Sequence, residues 1–164
     1  MSNSPLSPTH PIMGDFLSKF SLPNRPEGTV PELPNFLDEM PENILMDTYT
    51  LFMSWVSYAK AELVMAEIAE ERAANDLKVT ESLTLIGQWD EKSKGDTVTL
   101  AKARRDVSPD VVQAQSKYSE QRAYRKLVES VFERCERGAQ VLSRELSRRI
   151  SLAPQERRQG KYVA

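Results

Sequence analysis

Residues 109–150 read PDVVQAQSKYSEQRAYRKLVESVFERCERGAQVLSRELSRRI, and this stretch decides the fold. Mostly apolar side chains recur in it at alternating steps of three and four residues, which is the spacing of a coiled-coil seam. The seam positions are Val111, Ala114, Tyr118, Gln121, Arg125, Val128, Phe132, Cys135, Ala139, Leu142 and Leu146. Because such a stripe stays on one face of a long helix, we expect a partner helix from the same chain or from another copy.

The boundaries of this helix are marked by two prolines. Ser108, Pro109 and Asp110 supply a capping residue, a proline at the first helical position and an acid in the first turn. Pro154 predicts an end at about Ser151. A helix of roughly 40 residues at 1.5 Å each is about 60 Å long, which favours a scaffold or an oligomer.

A second long helix is predicted to start at Pro41 and Glu42 and to end before Gly87, because residues 44–86 contain neither proline nor glycine. Its apolar stripe comprises Phe52, Trp55, Val56, Ala59, Leu63, Ala66, Ala73 and Leu77. The polar residues 90–96 indicate a loop, and Thr97 or Thr99 then caps a short helix that ends near Asp106. The sequence therefore predicts an all-α fold in which residues 42–151 form an elongated antiparallel helical hairpin.

The first 41 residues contain eight of the ten prolines and predict an extended arm. Two sets of apolar residues in the arm have helical spacing, the first Ile12, Met13, Phe16, Leu17 and Phe20, and the second Phe36, Leu37 and Met40. Because isolated helices this short are marginal in water, the arm needs support from its own hairpin, a neighbouring subunit or a partner protein. Residues 152–164 are predicted to form a basic tail.

The composition favours helices and a cytoplasmic location. The 164 residues are 40% hydrophobic and include only six glycines. The first residues lack the charged and apolar regions of a signal peptide, and no run of eighteen apolar residues occurs. We therefore expect a soluble, intracellular protein without membrane contact, in the host cytoplasm if a phage encodes it. The single cysteine, Cys135, lies on the seam and is expected to pack there.

Catalytic motifs are missing from the sequence. His10 is the only histidine and lies in the arm, so neither a histidine-based triad nor a histidine-rich metal site is expected. No glycine-rich phosphate loop occurs, and Glu67, Glu70 and Glu71 indicate a solvated helix face. We predict a protein that is not an enzyme and that uses no metal or cofactor.

The charges are distributed unevenly. Residues 1–116 carry a net charge of −8, and residues 117–164 carry +6. The charges either solvate exposed helix faces, attract other copies of the chain, or let the basic part meet nucleic acid. Six residues near Trp89, whose ring could stack on a base, are the candidates for DNA binding: Lys78, Lys92, Lys94, Lys102, Arg104 and Arg105. A second basic series comprises Arg144, Arg148, Arg149, Arg157, Arg158 and Lys161.

Residues 49–150 contain an aromatic entry to the first helix, a Leu-Lys pair, and a pattern of cysteine, small residues and Ser-Arg in the last helix. The residues concerned are Leu51, Phe52, Trp55, Val56, Leu77, Lys78, Cys135, Gly138, Ala139, Ser143 and Arg144. In these features the chain resembles the UvsY-like recombination mediators of phages. The resemblance implies a helical protein that binds single-stranded DNA, assembles into rings and helps to load a recombinase. Thr80 replaces the second basic residue of the family's DNA-contacting pair, and Glu81 follows it.

The preferred prediction is a non-enzymatic homo-oligomer that binds single-stranded DNA as a recombination mediator. The alternative is a structural or adaptor protein of a phage particle, in which residues 1–41 strap onto neighbouring subunits or another protein. A third hypothesis is a small inhibitor whose acidic first half meets a basic protein surface. The residues predicted to form the oligomer or partner interface are Phe16, Phe20, Phe132, Leu142 and Leu146.

Overall fold

The computed structural model describes residues 21–90 and 97–159, with side chains described for residues 21–88 and 97–152. It contains the helices α1 (Glu42–Asp90), α2 (Val98–Asp106) and α3 (Pro109–Gln159). No strand occurs within these residues. The prediction of an all-α protein is therefore confirmed.

The three helices begin where the sequence signals predict. The amide of Leu45 donates to the Pro41 carbonyl at 3.0 Å, which closes the first turn of α1. The hydroxyl of Thr97 accepts from the amide of Leu100 at 3.3 Å and caps α2. Helix α3 starts at Pro109, whose missing N–H would have no partner in the first turn of a helix.

Both long helices extend past their predicted ends. Helix α1 continues through Gly87 to Asp90, and α3 continues through Pro154 to Gln159. A glycine inside a helix costs about 1 kcal/mol and a proline about 3 kcal/mol relative to alanine. The prolonged helices show that good helix formers on either side outweigh one unfavourable residue. Most of the predicted basic tail is therefore helical up to Gln159.

Helices α1 and α3 pack against each other in opposite directions. Contacts that join them move down α3 as they move up α1: Phe52 with Gly138, Glu62 with Tyr124, and Asp76 with Lys117. Helix α2 contacts both long helices. We call the part of the α1/α3 pair formed by residues 42–63 and 131–150 the arm end, and the part formed by residues 64–90 and 98–128 the linker end.

The core of the arm end is built from large side chains. Its buried members are Leu45, Phe52, Trp55, Cys135, Ala139, Leu142 and Leu146. Gly138 allows close packing here, because a Cβ atom at this position would overlap the ring of Phe52. The absence of that atom lets the aromatic ring lie directly on the backbone of α3.

The assignment of seam residues to an interface between chains needs correction. Leu142 and Leu146 are 0% and 8% exposed, because α1 of the same chain covers them. Phe132 is half-buried, and the Lys60 ammonium lies 5.0 Å from its ring centroid. A second copy reaches the two leucines only if the helix pair opens. The periodic pattern identified the buried face, but it did not show which helix covers that face.

The linker end is packed with smaller side chains. Its buried positions are Ala66, Ala73, Leu77, Ala101 and Val111. A partly buried ion pair joins the helices, with Arg125 Nε 2.5 Å from Glu70 Oε2. Three apolar side chains of α1 remain more than half exposed: Val79, Leu83 and Ile86.

The described part of the arm, residues 21–41, lies on the arm end of its own chain. Val30, Leu37 and Met40 pack against the core. Phe36, predicted to share their apolar face, is instead 68% exposed. Phe16 and Phe20, which were predicted as interface residues, lie outside the described residues.

A single side chain of α3 holds the end of the arm. The Arg149 guanidinium donates to the carbonyl oxygens of Met40 at 2.7 Å, Leu37 at 2.6 Å and Asp38 at 3.3 Å. It also donates to Glu145 Oε1 at 2.8 Å. Because Pro41 follows this turn directly, these bonds fix the end of the arm, and with it the start of α1, to α3.

Candidate nucleic-acid interface

The basic residues predicted to contact DNA near the linker end do not form one free cluster. Lys78, Lys102 and Arg104 are exposed. Arg105 is half-buried, and its guanidinium donates to Asp106 Oδ1 at 2.6 and 2.8 Å. This hydrogen bond raises the pKa of Arg105, and the nearby Glu81 acts in the same direction. Arg105 therefore stays charged, but its guanidinium is already engaged by Asp106.

The remaining members of that prediction lie outside the described residues. These are Lys92 and Lys94 of the loop, together with the side chain of Trp89. In the second basic series, the side chains of Arg157 and Arg158, as well as Lys161, also lie outside them. Arg149 is described, but its guanidinium is hydrogen-bonded to backbone carbonyls of the arm. Among the members of this series whose side chains are described, Arg144 and Arg148 are exposed on α3.

These two arginines belong to a longer stripe, which we call the arginine stripe. It comprises Arg134, Arg137, Arg144 and Arg148, with Val141 between the two pairs. The five positions follow one another at steps of three, four, three and four residues, so they share one face of α3. All of them are exposed, and the stripe covers about 21 Å of helix.

Two arginines of the stripe are paired with a carboxylate of α3, and two are not. Arg137 lies 2.7 Å from Glu133, and Arg148 lies 2.7 Å from Glu145. Arg134 and Arg144 form no ion pair with another residue of the described part of the chain. Two guanidinium groups are thus left to bind an anion, with five donors each in a planar arrangement that suits phosphate.

Two shallow grooves flank the stripe. The first has a volume of about 590 Å³ and lies between the arm and α3; its lining includes Pro31, Leu33, Arg134 and Arg137. The second, of about 400 Å³, lies on the other side of α3. There Arg144 lines the same groove as the half-buried ring of Tyr49. Gln140 and Ser143 add neutral polar groups to it, and Glu136 adds a carboxylate.

The second groove has the elements that single-stranded nucleic acid requires. An aromatic ring can stack on any base, and a nearby cation can contact the phosphate backbone. Arg134, Arg137 and Tyr49 are not among the residues that the sequence predicts to contact DNA. The three-and-four spacing of the arginines is visible in the sequence. The position of Tyr49 beside α3 depends on a contact between residues far apart in the chain.

Other kinds of site receive little support from the described residues. No group of three histidine, cysteine, aspartate or glutamate side chains there is placed to hold a metal ion. Cys135 is fully buried, and its burial raises the pKa of the thiol, which opposes formation of a reactive thiolate. Within the same residues, no helix has an apolar stretch long enough to cross a bilayer.

Comparison of the chain with protein-family models, with curated proteins and with solved structures finds no significant match. The resemblance to UvsY-like mediators therefore stays a prediction from the residues that carry it.

Proposed function

We propose that this protein is a non-enzymatic helical protein that binds single-stranded DNA along the arginine stripe. The observation that supports this proposal most directly is the row of four exposed arginines on one face of α3. Two of them have no carboxylate partner in the described part of the chain. The phosphate backbone supplies the anions for such a row. The adjacent Tyr49 supplies a ring for a base, which favours a single strand over a duplex.

The resemblance to UvsY-like mediators extends this proposal to a biological role. A protein that holds single-stranded DNA without reading its sequence suits the task of loading a recombinase. Arg144 belongs to the matching Ser-Arg pattern and also lies in the arginine stripe. We therefore propose recombination mediation as the role.

The test is a fluorescence-anisotropy titration of a labelled oligothymidine at several salt concentrations. Each lost phosphate contact on a single strand lowers the slope of log K against log salt by about 0.7. The double variant Arg134→Ala/Arg144→Ala should therefore bind more weakly at low salt, with a slope smaller by about 1.4. The matched control is Lys78→Ala/Lys102→Ala, which removes two exposed cations at the linker end.

The outcomes separate the two possible sites. If the linker-end variant loses binding and the stripe variant keeps it, the cations predicted from the sequence are the true site. Tyr49→Ser should weaken binding by about 1 to 3 kcal/mol, whereas Tyr49→Phe should not, because stacking requires only the ring. A flat titration of the unmodified protein at low salt would remove the DNA-binding proposal.

A second candidate function, a structural or adaptor protein, rests on a different surface. Val79, Leu83 and Ile86 are 57%, 64% and 59% exposed, and their spacing places them on one face of α1. Exposed apolar patches mark sites of association. In this candidate, copies of the chain or a partner cover the patch.

Light scattering tests that candidate. The unmodified protein should have a mass above that of one chain, and Leu83→Glu should reduce the mass to that of a monomer. Val64→Glu is the control, because Val64 is also exposed, at 42%, but lies about 22 Å from Val79 along α1. A monomer without any substitution would exclude self-assembly through the patch.

A further inference from the structure

The arm advances toward the linker end as it is followed from residue 41 back to residue 21. Its residues 37–40 lie beside Arg149, near the far end of the arm-end core. Pro31 and Leu33 line a groove with Phe52, Arg137 and Val141. The Arg25 guanidinium lies 5.9 Å from the ring centroid of Trp55, and its charge also acts on Tyr58. The described arm thus runs along the helix pair from Met40 back to Arg25.

Beyond this point, a patch of aromatic and apolar side chains continues on the same side of the pair. On α3, Leu127 precedes the groove residues Ser130 and Arg134 by one and two helical steps, and it is 67% exposed. On α1, Ala61 and Met65 follow Tyr58 at helical spacing. We call the patch formed by these residues and Tyr124 the tyrosine surface: Tyr58, Ala61, Met65, Tyr124 and Leu127.

The two tyrosines hold the surface together across the helices. Tyr124 is 40% exposed, and its hydroxyl donates to Glu62 Oε1 at 2.5 Å. Partial burial raises the pKa of Tyr58, and the charge of Glu62 raises it further. Glu62 thus accepts a hydrogen bond from Tyr124 and acts on Tyr58 through its charge. A segment that docks on this surface would therefore contact mainly aromatic rings and aliphatic side chains.

The length of chain that precedes residue 21 matches this surface. Phe20 lies five residues before Arg25, so it reaches at most about 17 Å beyond it in an extended conformation. Met65 lies ten residues beyond Trp55, which is about 15 Å along α1. The first residues with apolar side chains before the described arm are those predicted to form a short amphipathic turn: Ile12, Met13, Phe16, Leu17 and Phe20.

We propose that residues 12–20 dock on the tyrosine surface of the same chain and continue the arm along the helix pair. The direction of the arm selects this surface, because Arg25 lies over Trp55 and its charge acts on Tyr58. The short distance selects the same chain, because five residues suffice to reach the patch. The proposal is independent of nucleic-acid binding, and it assigns a docking site to the Phe16 and Phe20 region.

The experiment is chemical crosslinking of the full chain between two introduced cysteines. Lys19→Cys is combined with Ser130→Cys, since both positions are polar and Ser130 is exposed one helical step from Leu127. A short bismaleimide should join them within one chain. The native Cys135 is buried, and the unmodified protein checks that it does not react. The matched control pairs Lys19→Cys with Glu67→Cys, an exposed position near the level of Met65 that lies about 120° to 180° around α1 from Tyr58, Ala61 and Met65.

A crosslink within one chain that requires Ser130→Cys and is lost in the added variant Phe16→Ser/Phe20→Ser is the expected result. Covalent dimers would show that a second copy holds the segment and would overturn the proposal. Equal crosslinking to the two test positions, or none to either, would show that residues 12–20 do not dock there. Circular dichroism of each variant verifies that the helices persist.

Discussion

The arm end and the linker end use the same two helices but are stabilised differently. At the arm end, large side chains such as Phe52, Trp55 and Leu142 are buried, and residues 21–41 form a third layer over them. At the linker end, alanines dominate the contact, and large apolar side chains such as Leu83 remain exposed. Because buried apolar area is the main source of stability, the arm end should hold the fold and the linker end should open first.

The strongest test of this difference removes the same side chain from each end. Leu142→Ala should lower the free energy of unfolding by about 3 kcal/mol or more, because Leu142 is 0% exposed and leaves a cavity. Leu77→Ala, at the linker end, should cost about 2 kcal/mol, because Leu77 is 9% exposed and its surroundings can relax. Urea denaturation followed by circular dichroism measures both. Equal losses would show that the two ends are equally well packed.

Substituting alanine for one glycine at each end compares how closely the helices pack at the arm end and near the linker end. Gly138→Ala places a methyl group into the buried Phe52 ring and should destabilise the protein by about 1 to 3 kcal/mol. Gly87→Ala, near the linker end, meets no atom within 4 Å and should stabilise the protein by up to about 1 kcal/mol. Thermal unfolding measures the opposite signs. A stabilising Gly138→Ala would mean that the helices do not approach so closely.

The contribution of the arm can be isolated through its arginine. Arg149→Met keeps the aliphatic stem but removes the bonds to three arm carbonyls, and should cost about 2 kcal/mol. Arg148→Met is the matched control, because Arg148 shares Glu145 but does not bond the arm, and its exposed pair should contribute less than about 1 kcal/mol. Hydrogen exchange at residues 37–40 should rise only for Arg149→Met. Similar exchange in both variants would show that the arm is held by its apolar contacts alone.

The sequence predicted the helices more fully than it predicted their partners. Helix starts at Thr97 and Pro109 depend on local capping chemistry, which can be identified from neighbouring residues. The anchoring of the arm by Arg149 joins residues more than 100 positions apart, and no local pattern contains it. Likewise, the seam identified Leu142 as buried, but its spacing did not show that α1 of the same chain covers it.

The residues of the candidate site also differ in whether the sequence alone could identify them. Arg144 and Arg148 were recognised as part of a basic series, and the spacing that adds Arg134 is present in the sequence. The ion pair between Arg105 and Asp106 depends on side-chain geometry in the last turn of α2, so a count of charges overestimates the cations that the linker end leaves without a partner. The approach of Tyr49 to Arg144 follows only from the packing of α1 on α3.

The two ends should also differ in their response to acid. Arg148 and Arg149 donate to Glu145 at the arm end and lower the pKa of its carboxyl group to about 2. In the unfolded chain this pKa is about 4.3, so the stabilisation is complete above about pH 5 and is lost as the pH falls toward 2. Urea midpoints measured from pH 5 to pH 2.5 should decline, and Glu145→Gln should make that decline shallower. An unchanged decline would assign the acid sensitivity to other carboxylates.

The smallest effect is expected from the ion pair at the linker end. Lys117 and Asp76 lie 3.5 Å apart, and their side chains are 62% and 64% exposed. Water and salt screen such a pair, so Lys117→Ala should change the free energy of unfolding by less than about 0.5 kcal/mol. Repeating the urea denaturation in high salt should leave the variant and the unmodified protein equally stable. A larger loss would mean that this pair fixes the spacing of the helices where alanines leave little apolar contact, and the linker end would then depend on its charges.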